Sequence, residues 1–307
     1  MSRGVVMMSK LGQLGRFANQ LFQYMFLKTY ALRHDLEVQT PPWIGQQLFG
    51  LADPPIAGPL PEFVELYDKD PQRMVVPRLT EPLRNVDFSG FFQYPTRYYA
   101  PQREYIRRLF TPVPEAKQPL DAAVTRLRER GRTLVALHIR RGDYGFRYFY
   151  VTPLAWYLGW LEQMWPTWES PLLIVATDEP AAVLPAFAAY RPVTAADLGL
   201  KLPIAPYFPD FYLLTQADVL AIPNSSFSFA AAMLNANLKA AWRSHLADPL
   251  GDPPFRTFDP WDADVLETGA CAEDFPHISG ITRPPKRKWW RVERALSGLF
   301  RSRARAA

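Results

Sequence analysis

The sequence contains one cysteine, Cys271, in 307 residues. An intramolecular disulfide is therefore excluded, and the chain suits a reducing compartment. Histidine is scarce too. His34, His138, His245 and His277 stand far apart, and without HxxxH or CxxC spacing they offer zinc no ligand set. No stretch of about 18 consecutive apolar residues exists, so no transmembrane helix is predicted. The opening MSRGVVMMSK lacks the apolar run of a signal peptide, and a cytoplasmic location is the expectation. A GxxxxGK[ST] loop is absent, which excludes a kinase-type phosphate loop, and Gly12-Gln13-Leu14-Gly15 is too loose for a dinucleotide fingerprint. Two Asp-x-Asp strings, Asp68-Lys69-Asp70 and Asp262-Ala263-Asp264, are of a kind that can hold a divalent ion on a sugar nucleotide. Neither follows a convincing strand, and no metal is expected.

What the chain does have is apolar material and unevenly placed charge. Hydrophobic residues make up 48% of it, enough for a sizeable core and against global disorder. The length is comfortable for two domains. Net charge is +5, but residues 283–307 carry nine Lys/Arg against one acid, Glu293; that segment is +8, so the other 282 residues sum to −3. The body is thus no general polyanion binder, and nucleic acid is not an expected partner. In the tail, Trp289, Val292, Leu296 and Leu299 share one helical face ringed by Arg and Lys. Such a helix can lie on an anionic membrane surface. A solubilising tail, or a helix docked on the N-terminal part, fits the same residues.

Along the chain, strand and helix signals alternate. Val5–Met8 reads as a short buried strand, FANQLFQYMFLKTYALRH as a helix and Leu36–Thr40 as a second strand, the opening of a βαβ unit. Residues 41–89 are proline-rich and irregular. GFFQYPTRYYAPQREYIRRLF (90–110) starts strand-like and ends helical, and PVPEAKQPL (112–120) is the most linker-like stretch. A helical segment, Asp121–Arg130, then precedes a second series. It runs strand Thr133–Ile139, helix Pro153–Trp165, strand LLIVATD (172–178), helix EPAAVLPAFAAY, strand ADVLAI (217–222) and small-residue helix FSFAAAMLNANL. The alternation predicts parallel, doubly wound α/β sheets.

The chemistry concentrates in LHIRRGDYGF, residues 137–146. An apolar strand ends there in Arg140, Arg141, Gly142 and Asp143. Open parallel sheets bind ligands beyond the carboxyl ends of their strands. Arginine is a permanent cation whose planar fork of donors matches phosphate oxygens, so the pair can neutralise a diphosphate without a metal. The same residues also read as a surface Arg–Asp ion pair. A second anion-suited loop, Asn224-Ser225-Ser226-Phe227-Ser228, follows the strand ending at Ile222 and opens a helix, whose N-terminus offers free N–H groups. Two such loops on one sheet favour the diphosphate. His138, inside the strand, reads equally as a core histidine. The aromatic run Tyr144, Phe146, Tyr148, Phe149, Tyr150 reads as cleft lining or as core, and Trp156/Trp160 as the buried face of a helix.

These residues resemble a known family, the bacterial α-1,2-fucosyltransferases, which use GDP-fucose. GRFANQLFQY (15–24) is similar to the family's N-terminal motif. GFFQYPTRYYAPQREYIRRLF resembles its GYFQ-x-x-x-Y segment, LHIRRGDY carries H-x-R-R-x-D in full, and DFYLLTQADVLAIPNSSFSFAAAML (210–234) resembles its serine-motif segment. The matches occur in family order over roughly residues 5–240. Ala18 stands where the family has glycine, Phe17 where it has leucine, and Phe229 and Ala230 replace its tryptophans.

The resemblance implies a GT-B type α/β fold of two facing Rossmann-like domains. Residues 1–120 would form the acceptor side, 121–280 the GDP-sugar side, and 281–307 a basic amphipathic tail. It implies that Arg140 contacts the β-phosphate and that Arg141 supports the loop and donor. Asp143 would brace the arginines and is a candidate base, as are Glu62 and Glu65. His138 and Asp210 would hold the guanine, Ser226 and Ser228 the phosphate, and Asn19 and Gln20 would face the donor sugar; Asp178 would sit among the donor ligands. The implied reaction is inverting transfer of L-fucose, with no cofactor beyond the GDP-fucose substrate. The acceptor would be a galactoside-like glycan, and a lipid-linked one on the inner face of a bacterial membrane would suit the basic tail. Transfer of another GDP-deoxysugar, or non-catalytic binding of an anionic ligand or membrane, fits the residues as well.

Overall fold

The computed structural model describes residues 3–65, 74–246 and 254–283. Within them the chain forms two sheets. In the first, β1 (Val5–Met7), β2 (Glu37–Gln39), β3 (Glu62–Val64) and β4 (Val86–Ser89) lie in the order β2-β1-β4-β3, every pair parallel. Helix α1 (Phe17–His34) connects β1 to β2, the βαβ start that the periodicity predicts. Asp35 closes α1 in the left-handed conformation, its N–H bonded to the Ala31 carbonyl. The proline-rich stretch contains more than the irregular chain expected of it: a short helix, α2 (Ile44–Phe49), and both remaining strands. The strand expected at residue 90 ends one residue earlier, and Phe92 turns the chain with a φ of 51°.

Helix α3 (Arg103–Leu109) follows, and then α4 (Pro114–Arg130), which contains most of the stretch expected to be a linker. Pro114 occupies the first turn, where a missing N–H costs nothing. Pro119 forfeits one internal bond. The buried row Ala116, Leu120, Ala123 and Leu127 docks the helix in spite of that. A boundary at residue 120 would cut through it.

The second sheet has the order β6-β5-β7-β8-β9, formed by β5 (Thr133–Ile139), β6 (Pro171–Thr177), β7 (Val219–Ile222), β8 (Ala240–Ser244) and β9 (Phe255–Thr257). Only β9 is antiparallel. Helices α5 (Leu154–Met164), α6 (Pro180–Val183), α7 (Phe208–Gln216) and α8 (Ser226–Leu234) cover it. β5 is buried along its whole length, as a central strand covered on both faces must be. Val135, Leu137 and Ile139 pack with Tyr157 and Leu161 of α5. Leu134 and Ala136 face the other way, into a core shared with Leu214 of α7 and Phe229 of α8. That core continues without a break through Val6 and Phe22 of the first half.

The halves are tied at several points. Phe17 of α1 meets the rings of Phe208 and Phe211 in α7 and Phe227 in α8. The Thr96 amide donates to the Ala263 carbonyl at 2.9 Å. Arg107 of α3 donates to the carbonyls of Met233 and Asn235 at 3.3 and 3.1 Å, closing the end of α8. Ile281, 1% exposed, packs with Tyr150 and Ala272, so the folded body extends to Arg283. The amphipathic stretch of the tail and the Asp68–Asp70 string lie outside the described residues.

Candidate active site

Three neighbouring strands, β6, β5 and β7, end side by side, and the loops after them converge. Arg140 follows β5. Its Nε donates to Asp143 Oδ1 at 2.8 Å, its Nη2 lies 2.5 Å from the same oxygen, and its Nη1 lies 3.0 Å from Asp178 Oδ2. Asp178, just after β6, also accepts the backbone N–H groups of Arg141 at 3.0 Å and Gly142 at 2.9 Å. Asp178 thus fixes the backbone of the arginine loop as well as one guanidinium. Arg141 Nε reaches Glu179 Oε2 at 3.3 Å. The Arg140 side chain is 23% exposed and Arg141 18%, so both cations are held half-desolvated at the sheet edge, where charge acts more strongly than in bulk water.

His138 occupies the last position of the row Leu134, Ala136, His138 and so points toward α8. Its Nδ1 lies 2.8 Å from Ser228 Oγ, and its carbonyl accepts from Tyr157. Burial, reinforced by the Arg140 charge, pushes the imidazole down to about 3, so the ring is neutral. Ser228 is 0% exposed; its hydroxyl faces the histidine rather than the helix mouth. Ser226 does stand at that mouth, donating to Asn19 Oδ1 of the first half at 3.2 Å. Asn224 turns inward. Its amide spans the backbone of Tyr148 and Glu267.

Asp210, in the first turn of α7, is half-buried, and among the described residues no donor or cation meets it. Burial alone raises its carboxyl to about 6. The next ring along, Phe211, stacks edge-on against Phe227 at 5.2 Å, and Phe227 lies 5.3 Å from the His138 ring.

From the first half, the loop after β1 and the start of α1 face this edge. Gly15 takes a φ of +80°, and a Cβ there would lie 2.4 Å from Asn19 Nδ2, so only glycine lets the loop turn against the helix. Asn19 also accepts from Gln93 at 2.6 Å. Gln20 turns back onto its own loop, toward the carbonyls of Gly12 and Gly15. Ala18 sits buried in the first helical turn, where alanine fits as readily as glycine.

Three charged residues to which the sequence assigns no role complete the site. Arg16 Nη1 lies 3.0 Å from Asp143 Oδ2, joining the first half to the arginine loop. Glu179 lies between Arg141 and Arg283. Around the arginine loop, four guanidiniums (Arg16, Arg140, Arg141, Arg283) pair with three carboxylates (Asp143, Asp178, Glu179). The aromatic run after the loop is core rather than lining at two of its positions: the buried hydroxyls of Tyr144 and Tyr150 contact the Asn224 carbonyl and Ser244. Among the described residues, no three His, Cys, Asp or Glu gather as a metal site.

No family model matches the sequence, and no curated protein matches it. Solved structures do. The fucosyltransferase NodZ from Bradyrhizobium is 12% identical, and the match covers 85% of this chain and 100% of that one at a TM-score of 0.55. NodZ α-1,6-fucosyltransferase soaked with GDP-fucose matches at 13% identity, 84% and 99% coverage and a TM-score of 0.52. An Arabidopsis thaliana FUT1 mutant in complex with GDP matches at 12% identity, 83% and 74% coverage and 0.53. The fold is the GT-B α/β fold.

Proposed function

We propose that this protein is an inverting glycosyltransferase that moves L-fucose from GDP-fucose to a glycan hydroxyl. On this reading the acceptor is galactoside-like, the linkage α-1,2, the reaction needs no metal, and the product enters surface polysaccharide or lipopolysaccharide. One observation carries the reading: the half-desolvated Arg140–Arg141 loop, braced by Asp178 and Asp143, opposite the start of α8. The structural neighbours solved with GDP-fucose or GDP support the donor. The α-1,2 linkage rests on the sequence motifs.

Breaking the glycosidic bond leaves oxocarbenium character on the sugar and negative charge on the departing diphosphate. Cations fixed before the reaction favour that state over the ground state. Arg140 would meet the β-phosphate, Arg141 the donor beside it, and Ser226 with the α8 amides the other phosphate oxygens. The neutral His138 ring and the Asp210 carboxylate, which meets no donor among the described residues, suit the edge of guanine, whose N–H groups would supply donors to Asp210. Asn19 would face the sugar. Both oxygens of Asp143 already accept from guanidiniums, an arrangement that aims arginines rather than takes a proton. Glu65 is engaged by Tyr94 and two backbone amides, and Glu62 by Lys10. Inversion then relies on a loose transition state with little base assistance.

Peripheral contact of residues 283–307 with the anionic inner face of a membrane would bring the enzyme to a lipid-linked acceptor. Equal liposome flotation of the full chain and a chain ending at Arg283 would contradict that part. The activity is tested by incubating the purified protein with a galactoside acceptor and a panel of GDP- and UDP-sugars in EDTA and measuring nucleotide release. GDP release from GDP-fucose is expected. Release from a different GDP-deoxysugar instead supports the second reading that the motifs leave open, and no release from any donor contradicts both.

A further inference from the structure

We infer that Arg283 is a positioning residue for the donor diphosphate: it holds Glu179 and thereby leaves the Arg141 guanidinium set for phosphate. The inference rests on the reading of the arginine loop as a diphosphate grip. Arg283 lies far outside the motifs, 142 positions beyond Arg141. It reaches the loop because a C-terminal strap crosses the back of the site. The Ile281 carbonyl accepts from Val151 at 3.0 Å, and the Arg283 amide donates to Gly145 at 2.8 Å. Gly145 has a φ of +127°, and a Cβ there would lie 2.5 Å from the Arg283 backbone nitrogen. The strap therefore has a seat that only glycine provides.

From that seat the guanidinium forks onto one carboxylate. Nη1 donates to Glu179 Oε1 at 3.1 Å and Oε2 at 3.3 Å, Nη2 to Oε2 at 3.4 Å, and Nη1 also to the Arg141 carbonyl at 3.4 Å. Arg141 shares Oε2 through Nε alone, at 3.3 Å. Arg283 is first among the causes that hold the Glu179 carboxyl below its ordinary range, ahead of Arg141. Without Arg283, Arg141 would be the one guanidinium left on Glu179 among the described residues. A carboxylate forked onto Arg141 competes directly with phosphate for the same donors. Arg283 thus lets an acidic residue brace the loop without opposing the ligand.

The experiment is calorimetric titration of GDP into the full-length protein and four variants, with melting temperatures recorded. Arg283→Ala is expected to weaken GDP by ~10-fold, the scale of losing one charge-assisted contact, and Arg283→Lys to recover part of that. Arg283→Ala with Glu179→Gln should return affinity to within ~3-fold of wild type, because the competing charge is gone. Glu179→Gln alone should bind GDP at least as well as wild type. A strap that acts only as structure predicts no rescue by Glu179→Gln, and that result overturns the inference. So does undiminished binding by Arg283→Ala, or a ~10-fold loss in Glu179→Gln alone, which remains readable if Arg283→Ala folds poorly. Failure of the wild-type protein to bind GDP would instead sink the reading of the loop itself.

Discussion

Asp210 is the most exposed to argument of the single residues, because it costs the fold something. Its carboxyl is raised to about 6 by burial, from an ordinary value of 3.8, and no cation among the described residues offsets it. The folded state therefore holds this proton more tightly than the unfolded one. The group's contribution to stability is fully present below about pH 4 and is lost as pH rises through about 6. At pH 7.5 the penalty is roughly 1–3 kcal/mol. Asp210→Asn should accordingly raise the melting temperature at pH 7.5 and lose that advantage by pH 4. If the carboxylate meets guanine, the same variant should bind GDP at least ~10-fold more weakly, and wild-type affinity should decline below pH 6. An Asp210→Asn variant with ordinary stability and ordinary GDP affinity would show that the residue is neither strained nor used.

At the scale of elements, the link that matters runs from β7 into α8. Asn224, 2% exposed, donates to the carbonyls of Tyr148 and Glu267 at 2.9 and 2.7 Å and accepts from the Glu267 amide at 2.9 Å. One side chain thus pins three segments beside the helix start. Asn224→Ala removes three hydrogen bonds to backbone groups and should cost about 2–4 kcal/mol, read as a melting temperature lower by roughly 4–10 °C. A change of under about 1 °C would mean that water replaces the amide at no cost.

Elements of this kind were unevenly legible in the sequence. α1 announces itself through five turns of apolar spacing, and β5, β6 and β7 through unbroken apolar runs, since strands covered on both faces carry no polar alternation. The strands β3 and β4 lie inside the proline-rich stretch 41–89, whose turn-forming composition hides them, and β8 and β9 are five and three residues long. α4 hides behind its prolines, because tertiary docking of its buried row overrides their local preference. Within the site, the loops at strand ends were legible from residue type. The partners of those loops were not. Arg16, Glu179 and Arg283 are single charges whose meaning comes from residues distant in sequence. The inward turns of Ser228 and Gln20 depend on helix phase and on the path of a glycine loop.

The molecule joins two α/β halves through α1, α3, α7 and α8, and on the proposed reading the second half holds the nucleotide. Arg140, Arg141, Asp178, His138, Ser226 and Asp210 all belong to the second half; the first contributes Asn19 and Arg16, which contact Ser226 and Asp143. The Phe17 ring contacts, the Thr96–Ala263 pair and the Arg107 contacts also join the halves. Recognition should then depend on the second phosphate of the nucleotide, since the paired guanidiniums are what the second half offers at its edge. The direct test is titration of GDP and GMP into the wild-type protein and Arg140→Ala. GDP should bind wild type at least ~10-fold more tightly than GMP, and that advantage should fall below ~3-fold in the variant. Equal binding of GDP and GMP by the wild type, or an advantage that survives the loss of Arg140, would contradict the account.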